Sequence, residues 1–172
     1  MSLPALKIAG IEIPQDVWPM SQAYDRVNGG STVHRMLNGA GLKQQQWRKL
    51  STTIRGNGWA PPALAGVDWS VPVEIQCVQP RAVNSGTTSA TLPAARRSDL
   101  AVNVWATALV AGRIVATPVS MVGDVATATA VTGASGYQFY YFPKLSCYSD
   151  GATEEVDMER AAYSWQIVAE EA

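Results

Sequence analysis

The stretch Trp47–Cys77, WRKLSTTIRGNGWAPPALAGVDWSVPVEIQC, is dense in structural signals and empty of chemical ones. It holds Trp47, Trp59 and Trp69, a Gly56-Asn57-Gly58 turn and the Pro61-Pro62 pair. It closes on an alternating run. Across Val71–Gln79, Val71, Val73, Ile75 and Cys77 fall on one side, Glu74 and Gln76 on the other. A period of two places alternate side chains on one face of a strand with one side buried. The stretch has no histidine, no cysteine pair and no carboxylate pair at a catalytic spacing. Such a segment builds and positions a surface.

The same alternation continues outward. Ala161, Tyr163, Trp165 and Ile167 alternate with Ala162, Ser164 and Gln166, which predicts a second half-buried strand. Leu100–Val110 is apolar on both sides and reads as a covered central strand. Ile114–Val122 and Val125–Val131 flank Gly123-Asp124, a short hairpin signal. Tyr137–Tyr148 is aromatic and β-prone, and Pro143 inside it favours an edge or a bulge. Helical signals are few. Pro61–Val67 fits one or two turns before Asp68, and the acidic Thr153–Arg160 fits a single turn. Gly41–Leu50 is ambiguous, with strand favoured from Trp47 onward.

Polar Asn84–Asp99, which contains Pro93, reads as a long loop, because strand-like sequence resumes on both sides. The expectation is therefore one mainly-β domain over residues 1–172, an antiparallel barrel or sandwich with one or two short helices. The loop or insertion at about residues 84–99 belongs to it.

Charged residues are 16% of the 172, against about 25% in ordinary soluble domains. Two explanations stand: a β-rich chain of small residues, or a surface covered by neighbouring subunits, since interface cores are poor in charge. A net charge of −1 gives no electrostatic reason for nucleic-acid or anionic-membrane binding. No apolar run is long enough to span a bilayer, and the N-terminal MSLPALKIAG lacks the pattern of a signal peptide. Synthesis in the cytoplasm, as a soluble or assembled protein, is expected. Cys77 and Cys147, far apart in the chain, read as buried thiols.

The parts list for catalysis is short. His34 is the single histidine and has no ligand-type companion nearby. No Gly-x-Ser-x-Gly elbow, phosphate loop or dinucleotide fingerprint is present. The acidic cluster Glu154, Glu155, Asp157 and Glu159 lacks calcium-loop spacing. No enzymatic activity, no cofactor and no metal are expected. A cell-wall hydrolase resting on Asp68 or Glu74 is the weakest reading, because glycoside cleavage needs a matched acid pair.

What remains is aromatic: Trp47, Trp59, Trp69, Trp105, Trp165 and the run Tyr137–Phe142. Most should be core. Trp59 is singled out, since it follows a turn and precedes the stiff Pro61-Pro62 pair. A rigid Trp at a loop tip is an interface anchor, and folding back onto the core is the alternative. Trp59, Pro61 and Pro62 are therefore candidate subunit-interface residues. Arg96 and Arg97 join them as groups able to pair with a neighbour's acids, a solvated basic pair being the alternative.

These residues resemble a family. Arg35-Met36-Leu37-Asn38-Gly39, Trp47–Ile54, Gly58-Trp59-Ala60-Pro61-Pro62, Leu64, Val67-Asp68-Trp69 and a strand ending at Cys77 look like tail proteins of long-tailed bacteriophages. Tyr140-Tyr141-Phe142-Pro143, Tyr163-Ser164-Trp165 and Glu170-Glu171 are similar to the close of the same proteins. The resemblance covers about two-thirds of the chain. It lies in glycine, tryptophan and proline spacings rather than in a catalytic motif. It implies a tail-tube-like or distal-tail-like β-barrel or sandwich in the virion tail. Copies would form a homo-oligomeric ring, a hexamer or trimer, joining the tail tube to the tip or baseplate. Tube, hub and fibre proteins would be its partners. Distal tail proteins often carry a second, outward domain, for which this chain is short, so a minor tail or tail-completion protein stays open. A carbohydrate-binding β-sandwich at a fibre or receptor-binding structure is the alternative function.

Overall fold

A computed structural model of the chain describes residues 4–14, 19–159 and 161–172. Met1–Leu3 of the N-terminal segment and Arg160 of the acidic stretch lie outside these. The described residues form strands and no helix, in several antiparallel sheets with no closed barrel. The first six strands are β1 (Leu6–Ile8), β2 (Ile11–Ile13), β3 (Met20–Arg26), β4 (Ser31–Arg35), β5 (Gly41–Gln45) and β6 (Leu50–Gly58). Next come β7 (Val73–Gln76), β8 (Arg81–Ser85), β9 (Ser89–Thr91), β10 (Val104–Val110) and β11 (Arg113–Thr117). The last are β12 (Val119–Val122), β13 (Val125–Ala128), β14 (Ala134–Tyr141), β15 (Lys144–Asp157) and β16 (Ala162–Glu171). The chain read as a single domain divides into two compact units. One holds Gln76–Leu145 together with Pro4, the other Ala5–Ile75 together with Ser146–Ala172.

In the Gln76–Leu145 unit a four-stranded sheet has the order β11-β10-β14-β8, and a three-stranded sheet the order β12-β13-β9. β10 is the central strand expected within Leu100–Val110. It begins only at Val104 because Asn103 Oδ1 accepts the Leu100 N–H in a local turn (2.9 Å). Its small inward residues meet large ones: Ala106 lies opposite Phe139, and Ala108 opposite Tyr137. All four are buried, with Leu92, Ala126, Ala128 and Tyr141. On the other face Trp105 stacks on Tyr140, its cross-strand partner, at 5.2 Å and nearly parallel. Gly123-Asp124 closes the β12–β13 hairpin, Gly123 supplying the positive φ (58°). Pro118, with no N–H, divides Ile114–Val122 into β11 and β12.

The long loop expected at 84–99 is partly strand. Asn84 and Ser85 end β8, Ser85 Oγ donates to the Ser89 carbonyl (2.7 Å), and β9 then pairs with β13. The hydroxyls that made the segment look loop-like close its turn.

In the other unit a seven-stranded sheet runs β2-β1-β7-β15-β16-β6-β3. Its centre is the antiparallel ladder β15-β16-β6-β3. Thr52, Ile54 and Gly56 of β6 and Trp165, Ile167 and Ala169 of β16 alternate inward and are buried. Gly56 pairs with Trp165, and a Cβ on Gly56 would stand 2.6 Å from the indole. A bulge between Ser149 and Ala152 bends β15, with Gly151 (φ +102°) beneath the Trp69 ring.

The two helical expectations fail. Over Pro61–Val67 the chain turns instead, the Val67 N–H reaching the Leu64 carbonyl (3.1 Å). Two prolines withhold N–H groups, and Ala63 takes a positive φ of 58° that a helix forbids. Thr153–Asp157 is the outer half of β15, held in the ladder against β16. Gly41–Gln45 is strand, and the strand expected from Trp47 begins at Leu50.

Replacing Gly56 by Ala should cost about 1–3 kcal/mol, because the Trp165 ring cannot retreat from the sheet without strain. Thermal unfolding reads this as a lowered Tm, and an unchanged Tm would refute the tight Gly56–Trp165 approach.

Candidate assembly interface

The β3–β6 pairing ends at Arg26 opposite Leu50, but the ribbon continues. The Val27 N–H reaches the Lys49 carbonyl (3.2 Å), and the Gln46 N–H reaches that of Gly30 (2.9 Å). Beyond these, β4 and β5 pair from Ser31 opposite Gln45 to Arg35 opposite Gly41. At the base, Trp47 lies over Gly30, where a Cβ would come within 2.7 Å of its ring. A side chain there would dislodge the tryptophan.

Every residue of β4 and β5 is exposed. Both faces of this hairpin are therefore wet, and among the described residues neither strand has a second strand beside it. An isolated two-stranded hairpin is at best marginally stable in water. Its turn is nonetheless well built. The Met36 N–H reaches the Ala40 carbonyl (2.9 Å), and the Gly39 N–H that of Met36 (2.8 Å). Asn38 Oδ1 accepts the Ala40 N–H (3.0 Å), and the Arg35 guanidinium donates to the Gly39 carbonyl (3.2 Å). This cradle holds Leu37 wholly in solvent, with Met36 and Val33 more than half exposed.

The candidates named from sequence separate. Trp59 is 71% exposed. Pro61 is exposed and Pro62 buried, so the pair anchors one ring and presents the other. Arg96 and Arg97 are turned to internal work. Arg97 is 2% exposed. It holds Asp99 bidentately, Nε to Oδ1 at 3.0 Å and Nη2 to Oδ2 at 2.9 Å, and donates to the Cys77 carbonyl at 3.1 Å. Arg96 grips Asp124 (2.7 Å) and the carbonyls of Pro93 (2.7 Å) and Gly123 (3.0 Å). Both guanidiniums are thus bonded within their own copy. The composition that made this stretch look like an outward loop hid its internal acceptors.

His34 is an exposed strand residue opposite Leu42. Cys77 and Cys147 are buried. Among the described residues no group of three or more His, Cys, Asp or Glu could hold a metal. Asp68 accepts the N–H (3.0 Å) and hydroxyl (2.7 Å) of Ser70. These bonds, its hydroxyl bond foremost, hold the carboxyl below its usual range, the opposite of what a general acid needs. A trough of about 660 Å³ on the outer face of the ladder is lined by Ser21, Arg55, Asn57, Glu155, Ser164 and Gln166. Arg55 Nε already donates to Gln166 Oε1 across its floor (2.8 Å).

Sequence reading passed over the β4–β5 arm. The signal was present: Asn38-Gly39 between two short polar-apolar runs is a strong hairpin cue. Compared with known proteins, the chain matches no family model, no curated protein and no solved structure.

Arg97→Leu should destabilise the fold by about 2–4 kcal/mol, since it strips donors from a buried carbonyl and from Asp99. Arg96→Ala, whose ion pair lies nearer the surface, should cost about 1 kcal/mol or less. Urea unfolding of the two variants checks the order.

Proposed function

We propose that this chain is a structural subunit of a bacteriophage tail, forming an oligomeric ring that connects the tail tube to the tip or baseplate. The observation that carries the reading is the β4–β5 hairpin, exposed on both faces and at its apolar turn. Such an element is under-supported in one copy and gains its missing contacts from a neighbour. The tail-protein resemblance includes the hairpin turn, Arg35-Met36-Leu37-Asn38-Gly39. The low charge content and the absence of a metal-ligating group among the described residues fit a protein that assembles rather than catalyses.

Native mass spectrometry and light scattering test this. A defined oligomer of the purified chain is expected. A strictly monomeric species at all concentrations, alone and beside tail-tube and hub proteins, would refute it.

The carbohydrate-binding alternative draws on Trp59 alone. Of its other platform, Tyr137, Phe139, Tyr141 and Phe142 are buried and Tyr140 is stacked under Trp105. The two readings part at one residue. Trp59→Ala should leave stability within about 0.5 kcal/mol and weaken self-association about thirtyfold, as for an interface anchor. Loss of glycan-array binding with association intact would favour the alternative.

A further inference from the structure

The β4–β5 arm and the β15–β16 turn carry charge of opposite sign, although Asp25, Glu170 and Glu171 share the end of the ladder from which the arm leaves. From Arg26 to Val67 the chain carries Arg26, Arg35, Lys43, Arg48, Lys49 and Arg55 and no carboxylate. The arm contributes Arg35 and Lys43, with His34 beside them, and no acid. From Thr153 to Arg160 the chain carries Glu154, Glu155, Asp157 and Glu159 against a single cation, Arg160. Among the described residues no ion pair engages Glu154, Glu155, Glu159, Arg35 or Lys43.

Register places these two segments. The arm leaves the sheet where Arg26 faces Leu50. The β15–β16 turn sits where Asp157 faces Ala162 and Tyr163 faces Gly58, at the other end of β6. Nine residues of β6 separate the two ends, a span of about 27 Å at strand rise. The arm of one copy therefore leaves the sheet at the opposite end of β6 from the acidic turn of the same copy.

The two surfaces also match in apolar character. The arm presents Val33, Met36, Leu37 and Leu42, and the acidic end presents Val156 (45% exposed), Met158 (83%) and Trp59 (71%). Trp59 belongs there because it follows Gly58, the partner of Tyr163.

We infer that the β4–β5 arm of one copy docks head-to-tail on the β15–β16 turn of the next, with Arg35 and Lys43 against its glutamates and Leu37 among Trp59, Val156 and Met158. The occupant is a second copy of this chain, and the inference rests on the self-assembly proposed above. Because the two surfaces differ, the contact is heterologous, so it propagates from copy to copy until a ring closes. Docking also gives the hairpin the covering it lacks.

Sedimentation velocity at low and high salt tests this on the wild type, Arg35→Glu/Lys43→Glu, Glu155→Lys/Glu159→Lys, the combined fourfold variant and an equimolar mixture of the two double variants. Each double variant alone should associate at least tenfold more weakly than wild type. The fourfold variant and the mixture should regain assembly, because both hold complementary ends. Wild-type assembly should weaken as salt rises. Far-UV circular dichroism establishes that each variant is folded, and Leu37→Ser supplies a charge-neutral variant expected to weaken association as well. Undiminished assembly of all variants would overturn the docking and leave the ring reading standing. Loss in the double variants without recovery in the fourfold variant or the mixture would overturn it too. A wild type that never associates would overturn both.

Discussion

The closeness of Trp165 to the bare backbone of Gly56 sets the register on which both ends of the ladder depend. β16 is held between β15 and β6, and this is the point where its largest inward side chain crosses onto its neighbour. A shift of one residue would turn Trp165, Ile167 and Ala169 outward and bring Ser164 and Gln166 into the core. It would also set the indole against a residue with a Cβ. Gly56 thus makes one alignment much better than its neighbours. The fit is one of shape rather than polarity, since the Trp165 Nε1–H is buried without an acceptor among the described residues. Such a group costs about 1–3 kcal/mol. The ring's burial must outweigh that.

The same device recurs in this unit. Trp47 lies over Gly30 at the base of the arm, and Trp69 over Gly151 at the bulge of β15. In each case a missing Cβ lets a large ring lie on backbone where the chain changes course. Three of the tryptophans thereby act at places where a ribbon begins, bends or is registered. Trp59, by contrast, stays in solvent.

The strands whose faces differ in polarity were legible in sequence. Val73–Gln76 and Ala162–Glu171 alternate, because one side meets core and the other water. The misreadings have physical causes. Asn84–Asp99 looked like loop because its small hydroxyls serve a tight turn as readily as an open segment. Arg96 and Arg97 looked outward because sequence shows a cation but not its acceptors. The acidic Thr153–Asp157 looked helical because a strand exposed on both sides has no apolar period to betray it. The β4–β5 arm likewise has no apolar period, since nothing in it is buried, and only its Asn38-Gly39 turn marks it in sequence.

That absence is informative about the arm. A hairpin with no buried face draws little hydrophobic stabilisation from its own copy, yet its backbone must lose conformational entropy of about 1–2 kcal/mol per residue to stay ordered. Its turn bonds and the Trp47–Gly30 contact offset part of that cost at the two ends. The middle, from Thr32 to His34 and from Leu42 to Gln44, is held by its ladder. Leu37 at the tip adds an apolar side chain left wholly in solvent. An ordered turn presenting a fully exposed leucine on a carboxylate-free ribbon fits the docking proposed for it: pre-formed shape, one apolar knob and charge of a single sign.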